Sequence, residues 1–85
     1  MPSYRVLVSH SAERELRQIP RRDLGRIASK MQALAQDPTP PGAIKLEGEK
    51  RYRLRQGDWR IVYEVDHASK TVDIVKVGHR REVYR

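Results

Sequence analysis

Tyr52-Arg53-Leu54-Arg55-Gln56-Gly57-Asp58-Trp59-Arg60-Ile61-Val62-Tyr63 is the stretch whose reading decides the fold. Two runs rich in aromatic and branched residues flank Gly57-Asp58. Glycine at the first central position of a two-residue loop is the mark of a type II′ hairpin turn. Counting outward from that turn sets the register. Gln56 faces Trp59, Arg55 faces Arg60, Leu54 faces Ile61, Arg53 faces Val62 and Tyr52 faces Tyr63. Side chains alternate along a strand. One face therefore carries Tyr52, Leu54, Trp59, Ile61 and Tyr63, which suits a core. The other carries Arg53, Arg55, Arg60, Val62 and Glu64.

The second face is chemically pointed. Like charges directly opposite on a sheet destabilise it, by a few tenths of a kcal/mol or more. Placing Arg55 against Arg60 gains nothing for stability alone. An anion held between the two guanidinium groups relieves the repulsion and uses their planar, multi-donor geometry. A phosphodiester is the anion expected there. The competing reading is a solvated strand face on which the arginines do nothing.

Outward from the hairpin, Thr71 to Val77 reads as a further strand, joined to Trp59–Val65 by His67-Ala68-Ser69-Lys70. Tyr4 to Ser9 reads as an opening strand, with Ser9 or Ser11 available to cap a helix. Ala12, Leu16 and Ile19 recur at helical spacing. Leu24, Ile27, Ala28, Met31, Leu34 and Ala35 predict a stronger amphipathic helix over about Arg21 to Gln36. Asp37-Pro38 and Pro40-Pro41-Gly42 end it. The expected fold is α+β with the order β-α-α-β-β-β: two N-terminal helices packed on one face of an antiparallel sheet. No linker or repeat interrupts it, so residues 1–85 are expected to form one domain.

The chain has 85 residues, 18 Lys and Arg against 11 Asp and Glu, and a formal net charge of +7. That excess favours a polyanionic partner. There is no cysteine, which excludes disulfides and thiolate chemistry. His10, His67 and His79 show no ligand spacing, so neither a metal nor a cofactor is expected. No apolar run approaches the roughly 18 residues of a membrane span. Met1 to Ser9 lacks the regions of a signal peptide, which makes the cytoplasm the expected compartment.

The last strand runs into Val77-Gly78-His79-Arg80-Arg81-Glu82-Val83-Tyr84-Arg85. This segment gathers candidate phosphate contacts (Arg80, Arg81, Arg85), a candidate proton carrier (His79) and a ring able to stack on a base (Tyr84). The bland alternative is a frayed basic end. The exposed helix faces carry Arg14, Arg17, Arg21, Arg22, Arg26 and Lys30, for which solvated helix charge is the commoner explanation and contact with a polyanion the sharper one.

Lys45-Leu46-Glu47-Gly48, the Tyr52–Tyr63 hairpin, the Val77–Tyr84 segment and the N-terminal Ser11-Ala12-Glu13-Arg14-Glu15-Leu16 together resemble the RelE branch of the RelE/ParE toxin superfamily. The resemblance runs in order over nearly the whole chain. It implies a toxin of a type II toxin–antitoxin pair that cuts messenger RNA at the ribosome without a metal, leaving a 2′,3′-cyclic phosphate. It also implies a RelB-like cognate antitoxin and a toxin–antitoxin hetero-oligomer. By motif position, Arg53 and Arg55 match basic strand residues that in RelE are often lysines, so substrate binding is expected of Arg53. Arg60 matches a transition-state clamp, Arg80 a general acid or phosphate ligand, and Tyr84 the tyrosine that orients substrate. Arginine is a poor general base, which turns attention to His79, because histidine titrates near neutrality. The alternative within the superfamily is a ParE-like toxin, which inhibits DNA gyrase and is no nuclease. Outside it stands a basic nucleic-acid-binding module without catalysis.

Overall fold

A computed structural model describes residues 3–46 and 50–83. The elements run in the order β1 (Arg5–Val8), α1 (His10–Leu16), α2 (Arg21–Ala33), β2 (Ile44–Lys45), β3 (Arg51–Gln56), β4 (Trp59–Asp66), β5 (Thr71–His79) and α3 (Arg80–Val83). The strands form one sheet in the order β1-β5-β4-β3-β2. α1 and α2 cover one face of it, as the α+β reading expects. Ala12, Ile19, Ile27, Met31 and Leu34 from the helical half bury against Leu54, Ile61, Tyr63, Val65, Val72, Ile74 and Val77.

The hairpin takes the register counted from its turn, pair for pair from Gln56–Trp59 to Tyr52–Tyr63. Gly57 has φ +59 and Asp58 does not have a positive φ. A type I′ turn needs positive φ at both central residues and type II′ only at the first, so the turn is type II′. On the core face Tyr52 and Tyr63 stack with ring centroids 5.7 Å apart. The buried Tyr63 hydroxyl donates to the Pro38 carbonyl at 2.8 Å, which ties the loop after α2 to the sheet.

Several features differ from the sequence reading. The sheet is not wholly antiparallel: β1 pairs with β5 in parallel, Arg5 opposite Thr71 through Val8 opposite Ile74. A parallel pairing arises because the chain crosses over the sheet through the helices before returning. β2 is an additional two-residue edge strand against β3. α2 ends at Ala33 and not at Gln36, because the amides of Leu34, Ala35 and Gln36 bond three residues back, to Met31, Gln32 and Ala33. That tighter pattern is how many helices close. The basic C-terminal segment begins as a short helix, α3, and not as an extended tail.

β5 contains a bulge. Val62 faces Lys76 and Tyr63 faces Ile74, so Val75 has no opposite number on β4. The extra residue keeps both Ile74 and Val77 on the core face although they are three apart. Beyond Ile74, β1 no longer covers the outer edge of β5, and α1 takes over. Ser9 caps α1 by accepting from the Ala12 amide at 3.1 Å. The Ser9 and Ser11 hydroxyls reach the Val75 carbonyl at 3.4 Å each. The Glu15 carboxylate accepts from the Val77 amide at 2.9 Å and from the Lys76 ammonium at 3.1 Å. Side chains of a helix thus satisfy the backbone groups that a neighbouring strand would have satisfied.

Candidate functional site

Three strands build the face opposite the helices. In one row Arg55 faces Arg60 and Arg60 faces Gly78; in the next, Arg53 faces Val62 and Val62 faces Lys76. Directly opposed side chains on antiparallel strands have Cβ atoms about 5 Å apart. Arg55 and Arg60 are therefore held as neighbours by the backbone. Gly78, itself buried, adds no side chain to the row.

The two arginines differ sharply. Arg55 is exposed, and no described residue bonds its guanidinium group. Arg60 is only 5 % exposed. Its Nη1 donates to the carbonyls of Gly57 at 2.9 Å and Trp59 at 3.0 Å, so the side chain braces the turn that sets its own register. A charged donor fixed to two carbonyls is pre-organised at little further entropic cost. Arg53 is half-buried between them and the Arg51–Glu64 ion pair, whose atoms lie 2.8 Å apart.

Arg80 joins this face through Asp58. Its amide donates to the Asp58 carbonyl at 2.8 Å, and its Nε lies 3.8 Å from the Asp58 carboxylate. The hairpin turn therefore anchors the start of α3, and Arg80 and Arg81 are both exposed there. Asp58 escaped the sequence reading in this role. It was legible as a turn residue, but its partner follows a strand distant in the chain. Tyr84 and Arg85 lie outside the described residues.

His79 requires a correction. The sequence reading groups it with the arginines, but it is the residue opposite Trp59, so its side chain points to the helix side of the sheet. The two rings meet edge to face at 5.7 Å, and Trp59 in turn donates from Nε1 to the Asp23 carboxylate at 3.2 Å. His79 lines a cleft of about 130 Å3 with Glu15, Gln18, Ile19 and Val77. The pleat places the imidazole on the side away from Arg55. Adjacency in sequence brought the two together only on paper, because successive strand residues face opposite ways.

The face as built can bind a phosphodiester and stabilise charge that develops on it. It offers a buried, braced guanidinium, an exposed one directly opposite, and a third set at the turn.

A family model described as ParE toxin of type II toxin-antitoxin system, parDE, matches residues 6–84 of the chain. Toxin RelG of Mycobacterium tuberculosis is 30% identical over 84 residues, covering 96% of this chain and 97% of that protein. Among solved structures, the archaeal RelE–RelB complex from Pyrococcus horikoshii contains a chain that is 31% identical with a TM-score of 0.83, covering 92% of this chain and 96% of that one. The toxin–antitoxin complex RelBE2 from Mycobacterium tuberculosis contains one that is 28% identical with a TM-score of 0.80, covering 94% of both. The chain belongs to the RelE/ParE superfamily of type II toxin–antitoxin toxins, and within it to the RelE type.

Proposed function

We propose that this toxin is an endoribonuclease that cleaves messenger RNA on the ribosome, in the cytoplasm, and that a RelB-like antitoxin holds it inactive in a hetero-oligomer. The observation that carries this reading is the opposition of Arg55 and Arg60, with Arg80 tethered to the same hairpin turn. Such a concentration of guanidinium groups is costly without an anion between them. The antitoxin partner follows from the relatives solved as complexes with RelB.

In the proposed reaction the ribose O2′ attacks the adjacent phosphorus. The P–O2′ bond forms, the P–O5′ bond breaks, and the products are a 2′,3′-cyclic phosphate and a 5′-hydroxyl. Negative charge builds on the non-bridging oxygens in the transition state. Arg60 and Arg55 would bind those oxygens, a form of stabilisation often worth several kcal/mol. Arg80 would bind the phosphate from the turn and assist the departing O5′. Arg53, Arg81 and Arg85 would hold neighbouring phosphates, and Tyr84 would stack on a base beside the cut. Arginines keep their protons, so the O2′ proton passes to water and not to a protein base. The departing O5′ takes its proton from water, while Arg80 stabilises its charge. His79 takes no part in proton transfer in this scheme.

Inducible expression tests the reading directly, with messenger 5′ ends mapped inside reading frames for three versions of the chain. Wild type is expected to arrest growth and produce in-frame cuts. Arg60→Ala with Arg80→Ala is expected to abolish both. His79→Phe, which keeps a ring against Trp59, is expected to cut within a few-fold of wild type. Arrest without cuts, accompanied by gyrase-dependent DNA damage, would move the chain to the ParE-like reading, which the matching family model keeps in play.

A further inference from the structure

A cavity of about 320 Å3 opens at the end of the β3–β4 hairpin remote from the Gly57 turn. It lies on the helix side of the sheet, apart from the arginine face and from the stripe of Arg22, Arg26 and Lys30 on α2. Three segments build it. β2 supplies Lys45. The start of β3 supplies Tyr52, with Lys50 just before the strand. The end of β4 and its turn supply Val65, Asp66, His67 and Ala68. Backbone pairing fixes these segments against one another. Lys45 is opposite Tyr52. The Leu46 amide donates to the Arg51 carbonyl at 2.8 Å, and the Val65 amide to the Lys50 carbonyl at 3.1 Å. Both residues of β2 are exposed, so its pairing adds almost nothing to the core. What the pairing does is hold Lys45 beside the Tyr52 ring, on the same face of the sheet.

The polar groups of the cavity are unevenly matched. Neither Lys45 nor Lys50 pairs with a described acid. His67 Nδ1 shares a hydrogen bond of 2.7 Å with the Tyr4 hydroxyl, and the two rings meet edge to face at 5.8 Å. That contact fixes the imidazole and leaves Nε2 as the nitrogen available to a ligand. The one carboxylate, Asp66, accepts through Oδ1 from the Ala68 and Ser69 amides at 2.9 and 3.2 Å. The Ser69 bond above all, with that from Ala68 and the nearby Lys50, holds its carboxyl below the ordinary value. A carboxylate has about four acceptor positions, so capacity remains. The rest of the wall is apolar: Val65, Ala68 and the Tyr52 ring, which is held by its stacking on Tyr63.

Cationic donors, one acceptor and a flat apolar wall suit a ligand with three unlike parts. A phosphate monoester takes charge-assisted hydrogen bonds from Lys45, Lys50 and His67 Nε2. Sugar hydroxyls donate to Asp66. A planar base lies against the Tyr52 ring, since every base has a π-face. A bare oxyanion would leave the apolar wall unused and would meet Asp66 only as a like charge. Small-molecule sites commonly combine an apolar wall with a few convergent polar groups. We propose that this cavity binds a nucleoside monophosphate. The site shares no residue with the arginine face, so the proposal does not rest on the cleavage reading. A free nucleotide and the 5′ end of an RNA strand both present this chemistry.

The test titrates adenosine 5′-monophosphate into the isotope-labelled full chain and follows amide shifts by NMR. Saturable shifts are expected at Val65, His67 and Ala68, with a Kd below about 1 mM. Adenosine and inorganic phosphate are each expected to bind at least about tenfold more weakly. Lys45→Gln with Lys50→Gln should weaken nucleotide binding by about tenfold or more, as two charge-assisted bonds are lost, and should leave adenosine binding unchanged. His67→Phe keeps a ring beside Tyr4 and should weaken the nucleotide several-fold. Arg60→Ala with Arg80→Ala should leave it unchanged. Shifts centred on Arg55 and Gly57 that vanish in this last variant would put the nucleotide on the arginine face and overturn the proposal. Inorganic phosphate binding as tightly as the nucleotide would also overturn it, as would an absence of saturation. A 5′-phosphorylated trinucleotide distinguishes the sources. Affinity equal to that of the mononucleotide supports the site with an RNA end among its ligands, and much weaker binding supports it for the free nucleotide alone.

Discussion

Tyr63 shows how one side chain sets a pH limit on the fold. Burial, aided by the neighbouring Tyr52 and Asp37, raises its hydroxyl well above the ordinary value of 10.0. Its proton also makes the bond to the Pro38 carbonyl. The folded state therefore keeps a neutral tyrosine where the unfolded chain ionises. Below pH 10 this contribution is fully present; above it, stability falls as the unfolded state loses protons first, by at most about 1.4 kcal/mol per pH unit. Urea unfolding at pH 8 and pH 11 should show the loss in wild type. Tyr63→Phe should cost about 1–2 kcal/mol at pH 8, from the unpaired carbonyl, and should lose less than wild type between the two pH values. Equal losses would refute the assignment. The same residue was legible in the sequence as core-facing, from the register alone. Its bond to Pro38 was not, because that bond spans 25 residues.

At the scale of elements, Glu15 is the side chain on which the edge of β5 depends. It bonds the Val77 amide and the Lys76 ammonium just before the residues that lead into Arg80. Glu15→Ala should leave the Val77 amide without its partner and cost about 1–3 kcal/mol. Glu15→Gln retains an acceptor for that amide and gives up only a half-exposed ion pair, for which less than about 1 kcal/mol is expected. Thermal or urea unfolding of the two variants checks the order; equal costs would mean that the carboxylate acts through charge alone. The hairpin, by contrast, was readable in full, because a two-residue turn leaves one register that buries the apolar face. β2 was not readable, because two residues carry no pattern. α3 was missed because the run after His79 has no helical periodicity of its own, and the Arg80 amide is fixed by Asp58 from another part of the chain.

Across the whole molecule the charges are unevenly placed. The net charge of +7 is concentrated in the arginine face and the α2 stripe, with few ion pairs among the described residues to offset it. Self-repulsion of this kind destabilises a folded state and is screened by salt. Raising ionic strength from about 0.01 M to about 0.15 M shortens the screening length from about 30 Å to about 8 Å. Tm is expected to rise over that range. A falling Tm would show that ion pairs such as Arg51–Glu64 and Lys76–Glu15 outweigh the repulsion. The fold itself does not divide nuclease from gyrase inhibitor, since function resides in sites placed on folds.

By itself the sequence determined what is local. It set the type II′ turn, the hairpin register, the core stripe of both helices, and the opposition of Arg55 to Arg60, and it narrowed the cap of the first helix to Ser9 or Ser11. Each follows from the pleat, the helical period or the steric freedom of glycine, which act over a few residues. Tertiary structure alone decided the parallel pairing of β1 with β5, the burial of Arg60 over its own turn, the tether from Asp58 to Arg80, and the side of the sheet that His79 faces. These depend on which distant segments meet, and on a bulge in β5 that shifts the alternation, so no short stretch of the chain contains them.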